Sequence, residues 1–212
     1  MFNRLSLFVL LLNSLIINTA VHATQPAAAT RNILVFGDSL SAGYGIAVNE
    51  SWPALLGERL KQKGKPYTVV NASISGETTA GGRTRFAAAL QQAQPAIVIL
   101  ELGANDGLEG LPLAEMQANL STMIKAARQH KSRVLLVGIR LPPNYGKDYT
   151  QNFEAAFHTL ARREKIALLP FLLEPIAQDA TAFQADGLHP IAAVQPKLLD
   201  HVWQALEPLL NR

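Results

Sequence analysis

Ile97-Val98-Ile99-Leu100 and Val134-Leu135-Leu136-Val137 are short, unbroken apolar runs with none of the polar alternation of a strand that has one wet face. Such runs suit strands covered on both sides, which in practice means a mostly parallel sheet between layers of helices. The rest of the chain repeats the same alternation. Strand patterns fall at 33–36, 67–71, 96–102, 133–139 and, more weakly, 166–169, with helical patterns at 51–63, 82–92, 113–130, 148–164 and 191–210. Within 148–164, Phe153, Ala156, Phe157, Leu160 and Ala161 recur at helical spacing and form one apolar stripe. The expected fold class is α/β, a three-layer α/β/α sandwich of about five parallel strands with helices on both faces. A length of 212 residues suits one such domain better than two.

Composition narrows the possibilities further. The chain has no Cys, which excludes disulfides, thiolate-bound zinc, a cysteine nucleophile and a lipid-modified N-terminal cysteine. Its charge of +3, from 19 basic and 16 acidic side chains, is small and dispersed. The clusters Lys61, Lys63, Lys65 and Arg162, Arg163, Lys165 read as solvated helix ends, and no nucleic-acid partner is expected.

The N-terminus reads as an address label. Arg4 is the only charged residue among the first thirty, and an apolar run from Leu5 to Ile17 follows it, broken only by Ser6, Asn13 and Ser14. That is too short to span a bilayer comfortably, and it ends in the small-residue pattern Val21-His22-Ala23. Residues 1–23 are expected to be a cleaved signal peptide and 24–31 a loose leader, with the folded domain at 32–212. The mature chain would be periplasmic or secreted, without a stable membrane anchor, and a monomer is favoured.

Parallel α/β sheets present their functional loops at the carboxyl ends of the strands. There the chain carries Gly37-Asp38-Ser39-Leu40-Ser41, Ser73-Ile74-Ser75-Gly76-Glu77-Thr78, Gly103-Ala104-Asn105-Asp106-Gly107 and, late, Asp186-Gly187-Leu188-His189-Pro190. Each block alone has a bland reading as a turn or a helix cap. Together, one after another strand, they assemble the parts of serine acyl-transfer chemistry. Ser39 would be the nucleophile, His189 the base, and Asp186 the carboxylate that fixes the imidazole tautomer. The backbone N–H groups of Ser39 and Gly76 and the Asn105 amide would form the oxyanion hole, Gly76 being suited because a residue without a Cβ lets its N–H approach a ligand. The chain has no Gly-x-Ser-x-Gly elbow, phosphate-binding loop, dinucleotide glycine triplet or His-Glu-x-x-His, so no cofactor or metal is expected. His130, His158 and His201 read as bystanders, and Gly43-Tyr44-Gly45 as a flexible loop.

These four blocks resemble those of the SGNH hydrolases, also called GDSL esterases and lipases, in family order and across nearly the whole chain after its leader. Within that family, Phe36-Gly37-Asp38-Ser39-Leu40-Ser41-Ala42-Gly43-Tyr44-Gly45 and Asn71-Ala72-Ser73-Ile74-Ser75-Gly76-Glu77-Thr78-Thr79 are similar to the bacterial periplasmic branch of thioesterases, lysophospholipases and arylesterases. The resemblance implies a flavodoxin-like fold, a Ser39, Asp186 and His189 triad, and Gly76 and Asn105 in the oxyanion hole. Glu109 stands where similar members commonly carry a basic residue.

The loops after the third and fourth strands hold Leu108, Leu111 and Pro112, and Leu141, Pro142, Pro143 and Tyr145. These are candidates for an acyl-binding wall, with simple fastening of the loops as the equal alternative. The expected activity is hydrolysis of carboxylic esters and thioesters, of the lysophospholipid, aryl ester or acyl-CoA type, through an acyl-serine. A carbohydrate deacetylase built on the same residues and a non-catalytic binding domain are the two rival readings.

Overall fold

The computed structural model describes residues 31–211. The proposed signal peptide, and the leader up to residue 30, lie outside the described residues. Strands β1 (Arg31–Gly37), β2 (Tyr67–Asn71), β3 (Pro95–Glu101), β4 (Arg133–Val137) and β5 (Ala167–Leu169) form one sheet in the order β2-β1-β3-β4-β5, with every pairing parallel. Arg31 thus belongs to the first strand rather than to the leader. Among the described residues seven α-helices accompany them: α1 (Ser39–Ala42), α2 (Trp52–Gln62), α3 (Thr79–Ala93), α4 (Ala104–Leu108), α5 (Leu113–Gln129), α6 (Lys147–Glu164) and α7 (Gln195–Leu210). Helices α2 and α7 pack together on one face, and α3, α5 and α6 side by side on the other.

Both faces of the central strands are buried for the reason their sequence suggests. Ile97, Val98, Ile99 and Leu100 of β3 and Val134, Leu135, Leu136 and Val137 of β4 face helices alternately up and down, and all are buried. Phe36 meets Phe86 edge to face at 4.8 Å, and Phe153 meets Phe157 the same way at 5.4 Å. Each such side chain removed from water contributes roughly 1.5–3 kcal/mol before conformational entropy is subtracted. Helix α3 begins at Thr79, before the glycine pair 81–82 that argues against a helix in sequence. Gly82 is there for contact: a Cβ would lie 2.5 Å from Leu102 Cδ1 and 3.3 Å from the Phe36 ring. Helix α7 starts at Gln195, whose side-chain oxygen accepts from the Trp52 N–H at 2.9 Å and so caps α2 across the layer.

Sequence order reverses at β1, which lies between β2 and β3. Loops leaving β1 and its two neighbours therefore diverge from a common point at the carboxyl edge and leave a crevice there. Among the described residues no helix is long and apolar enough to cross a membrane.

Candidate active site

The chain leaves β1 through Gly37 and Asp38 and turns at once into α1. Asp38 Oδ1 accepts from the Leu40 N–H at 3.0 Å, which caps the short helix and puts Ser39 at its first residue. Beneath this turn Ser41 Oγ donates to Glu101 Oε2 at 2.7 Å, and Asp38, Ser41 and Glu101 are fully buried. Burial pushes the Asp38 carboxyl up to about 7, with the charges of Asp106 and Glu77 adding to it and the Leu40 N–H opposing it. Burial also holds Glu101 well above the usual carboxylate range, reinforced by Asp38. Ionisation of Asp38 thus opposes ionisation of its buried neighbour Glu101 beneath Ser39. The second loop is tied alongside: Ala72 N donates to Val35 O at 2.9 Å, Ile74 N to Gly37 O at 3.0 Å, and Asn71 Nδ2 to Ser41 O at 2.8 Å.

Asp186 organises its own turn. Its Oδ1 accepts from the N–H groups of Leu188 (2.8 Å) and His189 (3.0 Å), while Oδ2 lies 2.8 Å from His189 Nδ1. Those two backbone donors and the imidazole pull the carboxyl down to about 2, so it is ionised at any ordinary pH. An ionised partner on Nδ1 favours the tautomer protonated there, which leaves Nε2 as an acceptor. Ser39 Oγ sits 2.8 Å from that Nε2. The turn is held in place by an antiparallel bridge between Phe183 and Pro190 and by the Gln184 N–H on His189 O at 2.8 Å.

Two further elements face the serine. Asn105 lies in α4, its Nδ2 donating one hydrogen to Glu77 O at 2.9 Å. The next residue, Asp106, accepts from Thr79 N at 2.8 Å and Thr79 Oγ1 at 2.5 Å, and Asn119 Nδ2 donates to Thr79 Oγ1 at 3.1 Å. The Asp106 bonds fasten α4 to the start of α3, and the Asn119 bond ties α5 to the same residue. Gly76 adopts φ +79°, a conformation that side chains disfavour, while no protein atom lies within 4 Å of the place a Cβ would occupy. The glycine is thus favoured by its backbone angle, and the space beside it is open. Ser39, Gly76, Asn105 and His189 line one cleft of about 720 Å³.

Residues 35–195 match the GDSL-like Lipase/Acylhydrolase family. The chain belongs to that family, and it is an esterase-type hydrolase. It is 50% identical over 187 residues to Esterase TesA of Pseudomonas aeruginosa, covering 88% of this chain and 92% of the relative. Thioesterase 1/protease 1/lysophospholipase L1 of Escherichia coli strain K12 is 40% identical over 188 residues, with 89% of each chain covered. Among solved structures, the psychrotrophic esterase EstA from Pseudoalteromonas sp., inhibited by monoethylphosphonate, superposes with a TM-score of 0.82 at 37% identity, covering 86% of this chain and all of the other.

The walls of the cleft in this GDSL-like hydrolase differ in part from the sequence expectation. Leu108, Leu141 and Pro142 line it. Leu111, Pro112 and Tyr145 do not: the Leu111 carbonyl accepts from the Tyr149 hydroxyl at 3.3 Å, Pro112 precedes α5, and Tyr145 ends an exposed 3-10 turn. Pro112 and Tyr145 are exposed, and of the three only Leu111 is partly buried. Glu109 is exposed and also off the wall. Further apolar wall comes from Phe171, Leu173, Ala177 and Phe183, which follow β5. That strand also ends at the active edge, so the rule that located the other loops applies to it equally. Gly43-Tyr44-Gly45 is no free loop either, since the Tyr44 ring packs against His189. Among the described residues no three His, Cys, Asp or Glu side chains gather as metal ligands would.

Proposed function

We propose that the protein is a serine esterase that cleaves carboxylic esters and thioesters with an apolar acyl group. The observation that carries this reading is the unbroken line from Asp186 through His189 to Ser39, with 2.8 Å at both joints, opening on a cleft walled by Leu108, Leu141, Phe171 and Leu173. Ser39 Oγ attacks the acyl carbon as His189 Nε2 takes its proton, and Asp186 stabilises the resulting imidazolium. The oxyanion accepts from the Ser39 and Gly76 N–H groups and from the Asn105 Nδ2 hydrogen that Glu77 leaves free. Collapse returns the proton from His189 to the departing alcohol or thiol and leaves acyl-Ser39. Water, deprotonated by His189, then attacks the acyl carbon, releases the acid and restores the serine.

The names of the relatives support the same chemistry, as does the inhibition of EstA by monoethylphosphonate, a group suited to capture by a nucleophilic hydroxyl. With residues 1–23 as an export signal, the substrates in reach are periplasmic or extracellular, which favours lysophospholipids and simple esters over acyl-CoA. Purified protein starting at Thr24 is to be assayed on p-nitrophenyl esters of rising chain length, a lysophospholipid, an acyl-CoA and acetylated sugars. Turnover of the esters and the lysophospholipid, rising beyond the acetyl ester, is expected. Activity confined to acetylated sugars contradicts the apolar-acyl reading.

A further inference from the structure

His189 is held in its own plane by hydrogen bonds at both ring nitrogens, yet neither bond stops the ring from tipping out of that plane. What covers its face is Tyr44, with ring centroids 4.4 Å apart and planes tilted by 39°. Tyr44 is half exposed, so its position owes little to burial and must come from its backbone. That backbone is tied at both ends to the two turns that carry Ser39 and His189. The Tyr44 N–H donates to Ser39 O at 3.2 Å, and Tyr44 O accepts from Gln184 Nε2 at 2.8 Å. The same Gln184 Nε2 donates to Pro190 O at 3.2 Å, and the Gln184 N–H donates to His189 O. Flanking glycines permit the geometry: Gly43 and Gly45 have φ +78° and +73°, and a Cβ at 45 would run into the Gln184 side chain. Ser39, Tyr44, Gln184 and His189 thus form a second connection between the two turns, parallel to the side-chain hydrogen bond.

We propose that the Gly43-Tyr44-Gly45 turn is a clamp on the base, in which Tyr44 is a positioning residue that keeps the His189 imidazole aligned between Asp186 and the reacting oxygen. The inference rests on the acyl-Ser39 reading above. Its importance is greatest in the acyl-enzyme, where Ser39 Oγ has lost its hydrogen and Nε2 has lost that restraint. From then until water is bound, the ring is fixed only by Asp186 and by the Tyr44 face. The π-face also lies against the imidazolium that forms in each half-reaction, where a ring favours a cation over a neutral group. Both effects belong to the reacting states more than to substrate binding, so they act on turnover.

The test is a series at position 44 in the otherwise intact protein, read on p-nitrophenyl acetate and by the rate and extent of fluorophosphonate labelling. Tyr44→Ala and Tyr44→Leu, the second keeping bulk without a ring, are expected to lower kcat about five- to twentyfold with no rise in KM. Both variants still label to one adduct per chain, but more slowly. Tyr44→Phe and Tyr44→Trp retain kcat within about twofold, because the face and not the hydroxyl does the work. Unchanged kcat in Tyr44→Ala, a loss carried by raised KM, or a Tyr44→Phe as impaired as Tyr44→Ala overturns the clamp. A failure of the unaltered protein to label would count against the acyl-Ser39 reading itself, which keeps the two claims separable.

Discussion

His189→Ala is expected to lower kcat by about 10⁴-fold or more, with KM changed little. No other group can replace the imidazole. Among the described residues it is the hydrogen-bond partner of Ser39 Oγ, at 2.8 Å, and Asp186 reaches the serine through it. Of the other described histidines, His201 gives its Nε2 to Phe171 O at 3.0 Å, and neither His130 nor His158 lines the cleft. What survives the substitution is the proposed oxyanion hole and the apolar wall, which would still hold the ester but have no base to activate the hydroxyl. Asp186→Asn has a comparable or smaller effect: an amide can still accept from the Leu188 and His189 N–H groups, but it cannot stabilise the imidazolium as a carboxylate does. Steady-state kinetics on p-nitrophenyl esters measures both. A near wild-type His189→Ala requires a different base.

Asn105→Ala follows in size, lowering kcat about 10²- to 10³-fold. The side chain gives one Nδ2 hydrogen to Glu77 O and has the other free at the cleft wall beside Ser39 and Gly76. Charge appears on the carbonyl oxygen only as Ser39 attacks, so this donor strengthens the reacting state and leaves KM nearly unchanged. Loss of the bond to Glu77 O costs on the order of 1 kcal/mol of stability, which a melting curve separates from the catalytic loss. Asn105→Asp preserves the shape and removes the donors, and it should be as slow as alanine. A fall in kcat under threefold in both variants removes Asn105 from the oxyanion hole.

Long-range architecture was legible in the sequence because it depends on burial patterns that survive any local detail. Doubly buried runs such as Ile97-Val98-Ile99-Leu100 mark β3, and the blocks after β1, β2 and β3 meet because sequence order reverses at β1. Short-range features were harder. Helices α1 and α4 span four and five residues, too few to display a helical period, and their glycine-rich starts read as turns. The fate of an apolar loop residue depends on which way its side chain points, which spacing does not reveal. Leu108 lines the cleft while Leu111, three residues on, serves its loop. Tyr44 sits between two glycines and looks mobile, but its restraint comes from Gln184, 140 residues away. The buried Asp38 and Glu101 are likewise brought together by the β1–β3 pairing, and no local pattern couples them.

The most direct test of a serine acyl hydrolase at this site is covalent. The intact protein, incubated with an excess of a fluorophosphonate and examined by mass spectrometry, is expected to take up one adduct per chain, on the peptide that contains Ser39. Ser39→Ala should take up none, and His189→Ala should label far more slowly. An unlabelled native protein, or an adduct that persists in Ser39→Ala, contradicts the assignment of Ser39 as the nucleophile.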